Sequence, residues 1–122
     1  MGGRITYCRV YDHAAHPGEA HILVDRVWPR GIKKADLQLT EWLRDIAPST
    51  ELRKWYSHDP EKFAEFRRRY LAELASLDHR EAVEHLRDLA GDRDVVLMTA
   101  SRDVDRSQAA VLAHWLSEPS GG

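Results

Sequence analysis

The chain has 122 residues, enough for one domain with a real apolar core. Apolar residues make up 43% and charged residues 31%, with a formal charge of −2, so the basic excess of a typical nucleic-acid binder is absent. A single cysteine excludes a disulfide framework and a thiolate metal cage, and no apolar run approaches the roughly 20 residues needed to cross a bilayer.

In chain order, residues 4–10 alternate and are rich in β-formers (Ile5, Thr6, Tyr7, Val10), which predicts a strand holding Cys8 as a small buried hydrophobe. A loop with His13, His16, Pro17 and Gly18 follows. The run Ile22-Leu23-Val24 predicts a second strand over 20–27, covered on both faces. Beyond the turn at Pro29-Arg30-Gly31, helical spacing dominates. Leu39, Trp42, Leu43 and Ile46 predict a first helix, and Ala47-Pro48-Ser49 ends it. Ser49 or Thr50 caps a second helix with Leu52, Trp55 and Tyr56 on its apolar side. Asp59-Pro60-Glu61 is a helix start, and Phe63, Phe66, Tyr70, Leu71 and Leu74 form the stripe that follows. Residues 80–90 predict a fourth helix closed by Gly91, 94–99 a buried strand, and 105–116 a last helix.

Strands near both ends with helices between them predict an α/β fold: a small three-layer sandwich with a short, mostly parallel sheet and about five helices. Residues 1–117 form a single domain in this reading, and 118–122 a flexible tail. A fourth strand or an irregular segment is expected between Gly31 and Leu39. Crossover rules place the ends of strands two and three, Asp25 onward and Thr99 onward, on one edge of the sheet. The N-terminus carries no apolar signal-peptide core, so a cytoplasmic location is expected.

The segment Val24-Asp25-Arg26-Val27-Trp28-Pro29-Arg30-Gly31-Ile32-Lys33 resembles the signature of the DUF488 family, in its small YeaO-like branch. So do Ala47-Pro48-Ser49-Thr50-Glu51-Leu52-Arg53-Lys54, Phe66-Arg67, Tyr70-Leu71-Ala72-Glu73-Leu74 and the closing stretch 109–116. The resemblance runs over about residues 9–116 and implies a compact α/β three-layer domain of unassigned activity. The wider family tends to close its last strand-to-helix turn with Cys-His, and this branch with a Lys followed by Asn-His. Here Arg102 stands near the usual Lys, and Ser107-Gln108 replaces Asn-His. A mechanism needing an imidazole or thiolate at that turn does not carry over.

Ligands of open α/β folds bind beyond the carboxyl ends of the strands. The first candidate there is an anion pocket of Arg26, Arg30, Arg102 and Arg106, with the start of the last helix and the Ser107 hydroxyl. The alternative is that these arginines pair with Asp25, Asp103 and Asp105 and tie the turns together. Trp28 either stacks on a base or sugar or plugs the core. Asp25 and His58 are the candidates for proton transfer, should the chain be an enzyme, while His58 and Asp59 equally suit a plain helix cap. His13-x-x-His16 lacks a third ligand, so no metal is expected. No P-loop or Gly-x-Gly-x-x-Gly run is present, and no cofactor is expected. Arg67-Arg68-Arg69 reads as a solvated face paired with Glu65 and Glu73. Ser49, Thr99 and Ser101 are nucleophiles only in type, since none sits in a nucleophile elbow.

The leading expectation is a domain binding a small anionic, phosphate- or nucleotide-like ligand at the carboxyl edge of the sheet. The rival is a non-catalytic interaction module for a protein or nucleic-acid partner. No membrane partner is expected, and the oligomeric state stays open.

Overall fold

A computed structural model of the protein describes residues 3–12, 18–37, 39–57 and 59–117. Among them, β1 (Ile5–Arg9), β2 (Ala20–Leu23), β3 (Glu41–Trp42) and β4 (Val95–Thr99) form one all-parallel sheet in the order β1-β4-β2-β3. Four α-helices accompany it: α1 (Thr50–Tyr56), α2 (Phe63–Leu74), α3 (Leu77–Asp92) and α4 (Gln108–Ser117). The α/β sandwich is as expected, with one helix fewer.

The difference lies at Leu39, Trp42, Leu43 and Ile46. Their spacing predicts a helix, but the chain there forms β3 and then a 3₁₀ turn, Arg44–Ile46. The open side of β2 decides the matter. Thr40 N donates to His21 O at 2.8 Å, Leu43 N donates to Leu23 O at 2.9 Å, and the Thr40 hydroxyl accepts from His21 N at 2.8 Å. Satisfying buried peptide groups of a central strand outweighs a local helical pattern. The described part of the 31–39 stretch is irregular, with one 3₁₀ turn at Lys34–Asp36, and the fourth strand lies just beyond it.

Alternation along the strands divides the core in two. Ala20, Ile22, Val24, Val95 and Leu97 face the helices, where they pack with Leu52, Phe66, Tyr70, Leu86 and Leu112. Leu23, Val96 and Met98 face the other way and are covered by Leu37, with Trp28, Ile32, Leu39 and Trp42 packed at the margin. One face therefore carries helices and the other an irregular layer. Cys8 packs against that second cluster. Each fully buried large side chain of this kind contributes roughly 1.5–3 kcal/mol.

Two devices fix the helical layer beside the sheet edge. Ser49 caps α1, its Oγ accepting from Leu52 N at 3.1 Å and donating to Glu73 Oε2 at 2.6 Å. Tyr70, fully buried in α2, donates its hydroxyl to Ile46 O at 2.5 Å and stacks on Phe66, which stacks in turn on Tyr56. Among the described residues, no helix is long and apolar enough to cross a membrane.

Candidate functional site

Because β2 and β4 are parallel neighbours, with Leu23 opposite Met98, their carboxyl ends open side by side. Asp25 lies at that junction. Its Oδ1 accepts from the Thr99 hydroxyl at 2.7 Å and from Gln108 Nε2 at 2.5 Å, and its Oδ2 accepts from Ala100 N at 2.8 Å. Trp42 Nε1 donates to the Asp25 carbonyl at 2.7 Å. One side chain thereby joins β2, β4, α4 and, through its backbone, β3.

Burial pushes the Asp25 carboxyl above its ordinary range. The Thr99 hydroxyl, the Ala100 amide, the Arg53 charge and the Gln108 amide all pull the other way without cancelling that burial. Three donors aimed at one carboxylate, with no water-filled gap needed to explain them, make a clamp across the sheet edge.

The four candidate arginines are held in different ways. Half-buried Arg26 donates from Nε to Pro48 O and from Nη2 to Ala47 O, both at 3.3 Å, which ties the β2 turn to the segment before α1. Arg106 pairs with Asp103 at 2.9 Å, and its carbonyl accepts from the Tyr56 hydroxyl at 2.7 Å. Arg30 and Arg102 are exposed, and neither makes an ion pair among the described residues. Ser107 is buried. Its hydroxyl donates to Val104 O at 2.7 Å and accepts from Ala110 N at 3.4 Å, so it closes the first turn of α4.

Trp28 takes the position of a plug. Its indole donates to Ile32 O at 2.7 Å and meets the Trp42 ring edge-on at 5.2 Å. The rim beyond carries exposed apolar surface: Val27 is 56% and Tyr11 48% exposed, and the Tyr11 hydroxyl donates to Arg30 O at 3.1 Å. Asp105, offered in the sequence as an arginine partner, accepts instead from the Tyr7 hydroxyl at 2.7 Å.

His58, the second proton-transfer candidate, lies outside the described residues, as do His13 and His16. Asp59 does cap the turn that follows, accepting from Glu61 N at 3.0 Å. Arg68 and Arg69 both pair with Glu65, as the i,i+3 and i,i+4 spacing requires, whereas Glu73 turns inward to Ser49. His79 and His85 sit on α3 but are engaged, His79 with Ser76 and Ala47 O and His85 with Glu41. Among the described residues, no three metal-ligating side chains come together.

Sequence reasoning brought Thr99 to the edge that Asp25 occupies, but identified neither the Gln108 amide nor the Arg53 charge as acting on that carboxylate. Arg53 belongs to a motif already quoted, but nothing in its helix spacing says that it looks across to β2. Gln108 stood out only as a departure from the usual closing residues.

The profile of a family described as the inactive DUF488-N3 subclade matches residues 4–120. The uncharacterized protein YeaO of Escherichia coli (strain K12) is 46% identical over 108 residues, covering 88% of this chain and 92% of that protein. The uncharacterized protein Rv3073c of Mycobacterium tuberculosis (strain H37Rv) is 46% identical over 114 residues, covering 93% and 94%. No solved structure matches the chain significantly. With the match running from β1 to beyond α4, and with Asp25, Arg26 and Trp28 of the signature standing together at the sheet edge, this chain belongs to the DUF488 family, within its N3 subclade.

Proposed function

We propose that this chain is a binding domain without turnover, taking a small anionic, phosphate- or nucleotide-like ligand at the carboxyl edge of its sheet. The observation that carries the reading is the state of Asp25. Both of its oxygens are occupied by donors of the fold, so it holds the edge together instead of accepting a proton from a substrate. The subclade's description as inactive is in keeping with that. Around the clamp, Arg26, Arg30, Arg53, Arg102 and Arg106 supply guanidinium forks suited to phosphate or carboxylate oxygens, and Arg26 uses only two of its five N–H groups on carbonyls. A cytoplasmic setting goes with this reading.

A second reading has its own observation. Val27 and Tyr11 are exposed apolar groups on the arginine-bearing rim, a combination that suits a macromolecular partner, with the same arginines serving its phosphates or carboxylates.

Thermal melting with inorganic phosphate, sulfate, mononucleotides and short oligonucleotides separates the two. A ligand present at about 100 times its Kd stabilises by about 2.7 kcal/mol, a shift on the order of 10 °C for a chain of this size. The small-anion reading expects phosphate or a mononucleotide to stabilise the wild type. Arg30→Ala, which is exposed and should melt like the wild type, should lose that response, as should Arg26→Ala relative to its own ligand-free melt. A response confined to oligonucleotides favours the interaction module, and no response to any anion removes the small-anion reading.

A further inference from the structure

Among the described residues, every Tyr, Trp and Phe is buried or half-buried except Tyr11, which stays 48% exposed. Val10 N donates to Thr99 O at 2.9 Å, which carries the pairing of β1 with β4 past the end of the strand and sets Tyr11 on the same edge as Asp25. Three contacts fix the side chain there. Asp12 N donates to Arg9 O at 3.1 Å and closes a turn around Val10 and Tyr11. The Tyr11 hydroxyl donates to Arg30 O at 3.1 Å, reaching across to the loop after β2. The Arg9 guanidinium lies over one face of the ring, 5.0 Å from its centre. Arg9 has little else to hold it: its buried Nε makes no hydrogen bond, and its Nη1 stands 3.8 Å from Asp12. With the hydroxyl engaged and one face covered, the exposed part of Tyr11 is chiefly the other face, already held in place for a flat partner.

We propose that the open face of Tyr11 stacks on the base of a nucleotide whose phosphate is taken by Arg30, so that the small anion of this edge is a mononucleotide. The inference rests on the small-anion reading above and names the part of the ligand that the arginines leave undefined. Arg30 is exposed and makes no ion pair among the described residues, and its carbonyl is the group that anchors the phenol. An aromatic face and a free guanidinium are thus joined by a single hydrogen bond, which matches a molecule carrying a ring at one end and a phosphate at the other. Arg9 behind the tyrosine draws its π density inward, which favours an electron-rich purine on the outer face.

Calorimetric titration of the full chain with inorganic phosphate, ribose phosphate, adenosine monophosphate and tetra-adenylate separates the base from the phosphate and the mononucleotide from a strand. Adenosine monophosphate should bind about tenfold or more tightly than ribose phosphate. Tyr11→Leu, at an exposed position, should melt like the wild type, lose that preference and keep the ribose phosphate Kd unchanged. Tyr11→Phe, which gives up only the bond to Arg30 O, should retain most of the preference. The ring protons of adenine should move upfield in NMR spectra on binding to the wild type and not to Tyr11→Leu. Equal Kd values for adenosine monophosphate and ribose phosphate, a preference that survives Tyr11→Leu, or adenine resonances that stay in place overturn the stacking and leave the small-anion reading standing. Binding of tetra-adenylate alone, or of none of the four probes, overturns both.

Discussion

Gln108 Nε2 donates to Asp25 Oδ1 at 2.5 Å, although 83 residues separate the two in the chain. The first residue of the last helix is thereby fastened to the end of β2, the same carboxylate that holds Thr99 and Ala100 at the end of β4. Removing the carboxylate strands three donors at once. Asp25→Ala should therefore cost about 3 kcal/mol in urea unfolding, and Gln108→Ala, which leaves the other two bonds in place, about 1–2 kcal/mol. The double variant should cost clearly less than the sum, because both changes break one network.

Asp25 also gives the chain a signature in pH. Its carboxyl is raised above the ordinary range, chiefly by burial, so the folded state holds that proton more tightly than the unfolded chain does. The associated stability is fully present below the unfolded value and is lost as pH rises through the folded one. Glu65 runs the opposite way. Held down to about 2 by Arg68 and Arg69, it contributes above its ordinary value and loses that contribution as the solution is acidified toward about 2. Unfolding midpoints measured across the acid range should show a component that grows on mild acidification and is missing in Asp25→Asn, with the Arg68–Arg69 component falling only at lower pH.

Tyr70 is the phenol deepest in the helical layer, and burial pushes its ionisation well above the usual range. Its contribution is present at neutral pH and is lost only as alkali reaches the raised value. Phenolate absorbance should therefore develop in two phases, with the Tyr70 share appearing together with loss of helical signal. Tyr70→Phe should remove that share and, by orphaning Ile46 O, cost about 1–3 kcal/mol.

Gly3 marks where the chain enters β1. A Cβ there would stand 2.0 Å from Arg93 O, and Gly3 N donates to Ala90 O at 2.5 Å. Gly3→Ala should thus push β1 away from the end of α3 and cost about 1–3 kcal/mol by denaturant unfolding. An unchanged midpoint would show that the entry to β1 shifts freely.

How far the sequence foretold all this depends on the range of each interaction. β1 was legible from its alternation, and β2 and β4 from short continuous apolar runs that mark strands covered on both faces. Helices α1 to α4 were legible from their apolar stripes, and α1 from its Ser49 cap as well; α3 begins earlier than its apolar positions suggest, with Ser76 at its N-cap and Leu77 81% exposed, and it runs through Gly91 to Asp92 instead of closing at that glycine. β3 was not legible. Its residues carry a helical spacing, and only the open side of β2 overrides it. At the site, the grouping of Asp25 with Thr99 followed from parallel crossovers. The roles of Arg53 and Gln108 did not, since each depends on a helix meeting a strand end from a distant part of the chain. Ser107 shows the same limit: as a residue type it suits anion binding, while its placement makes it a helix cap.

The most direct test of binding at the carboxyl edge is a phosphate titration followed residue by residue in backbone amide NMR spectra. The account predicts saturable shifts at Arg26, Gly31, Arg53, Ala100 and the first turn of α4, all lost in Arg30→Ala, with no conversion of added phosphate esters over the same period. Shifts that never saturate, or that fall on the far side of the sheet and leave Arg26 and Ala100 unmoved, would contradict it.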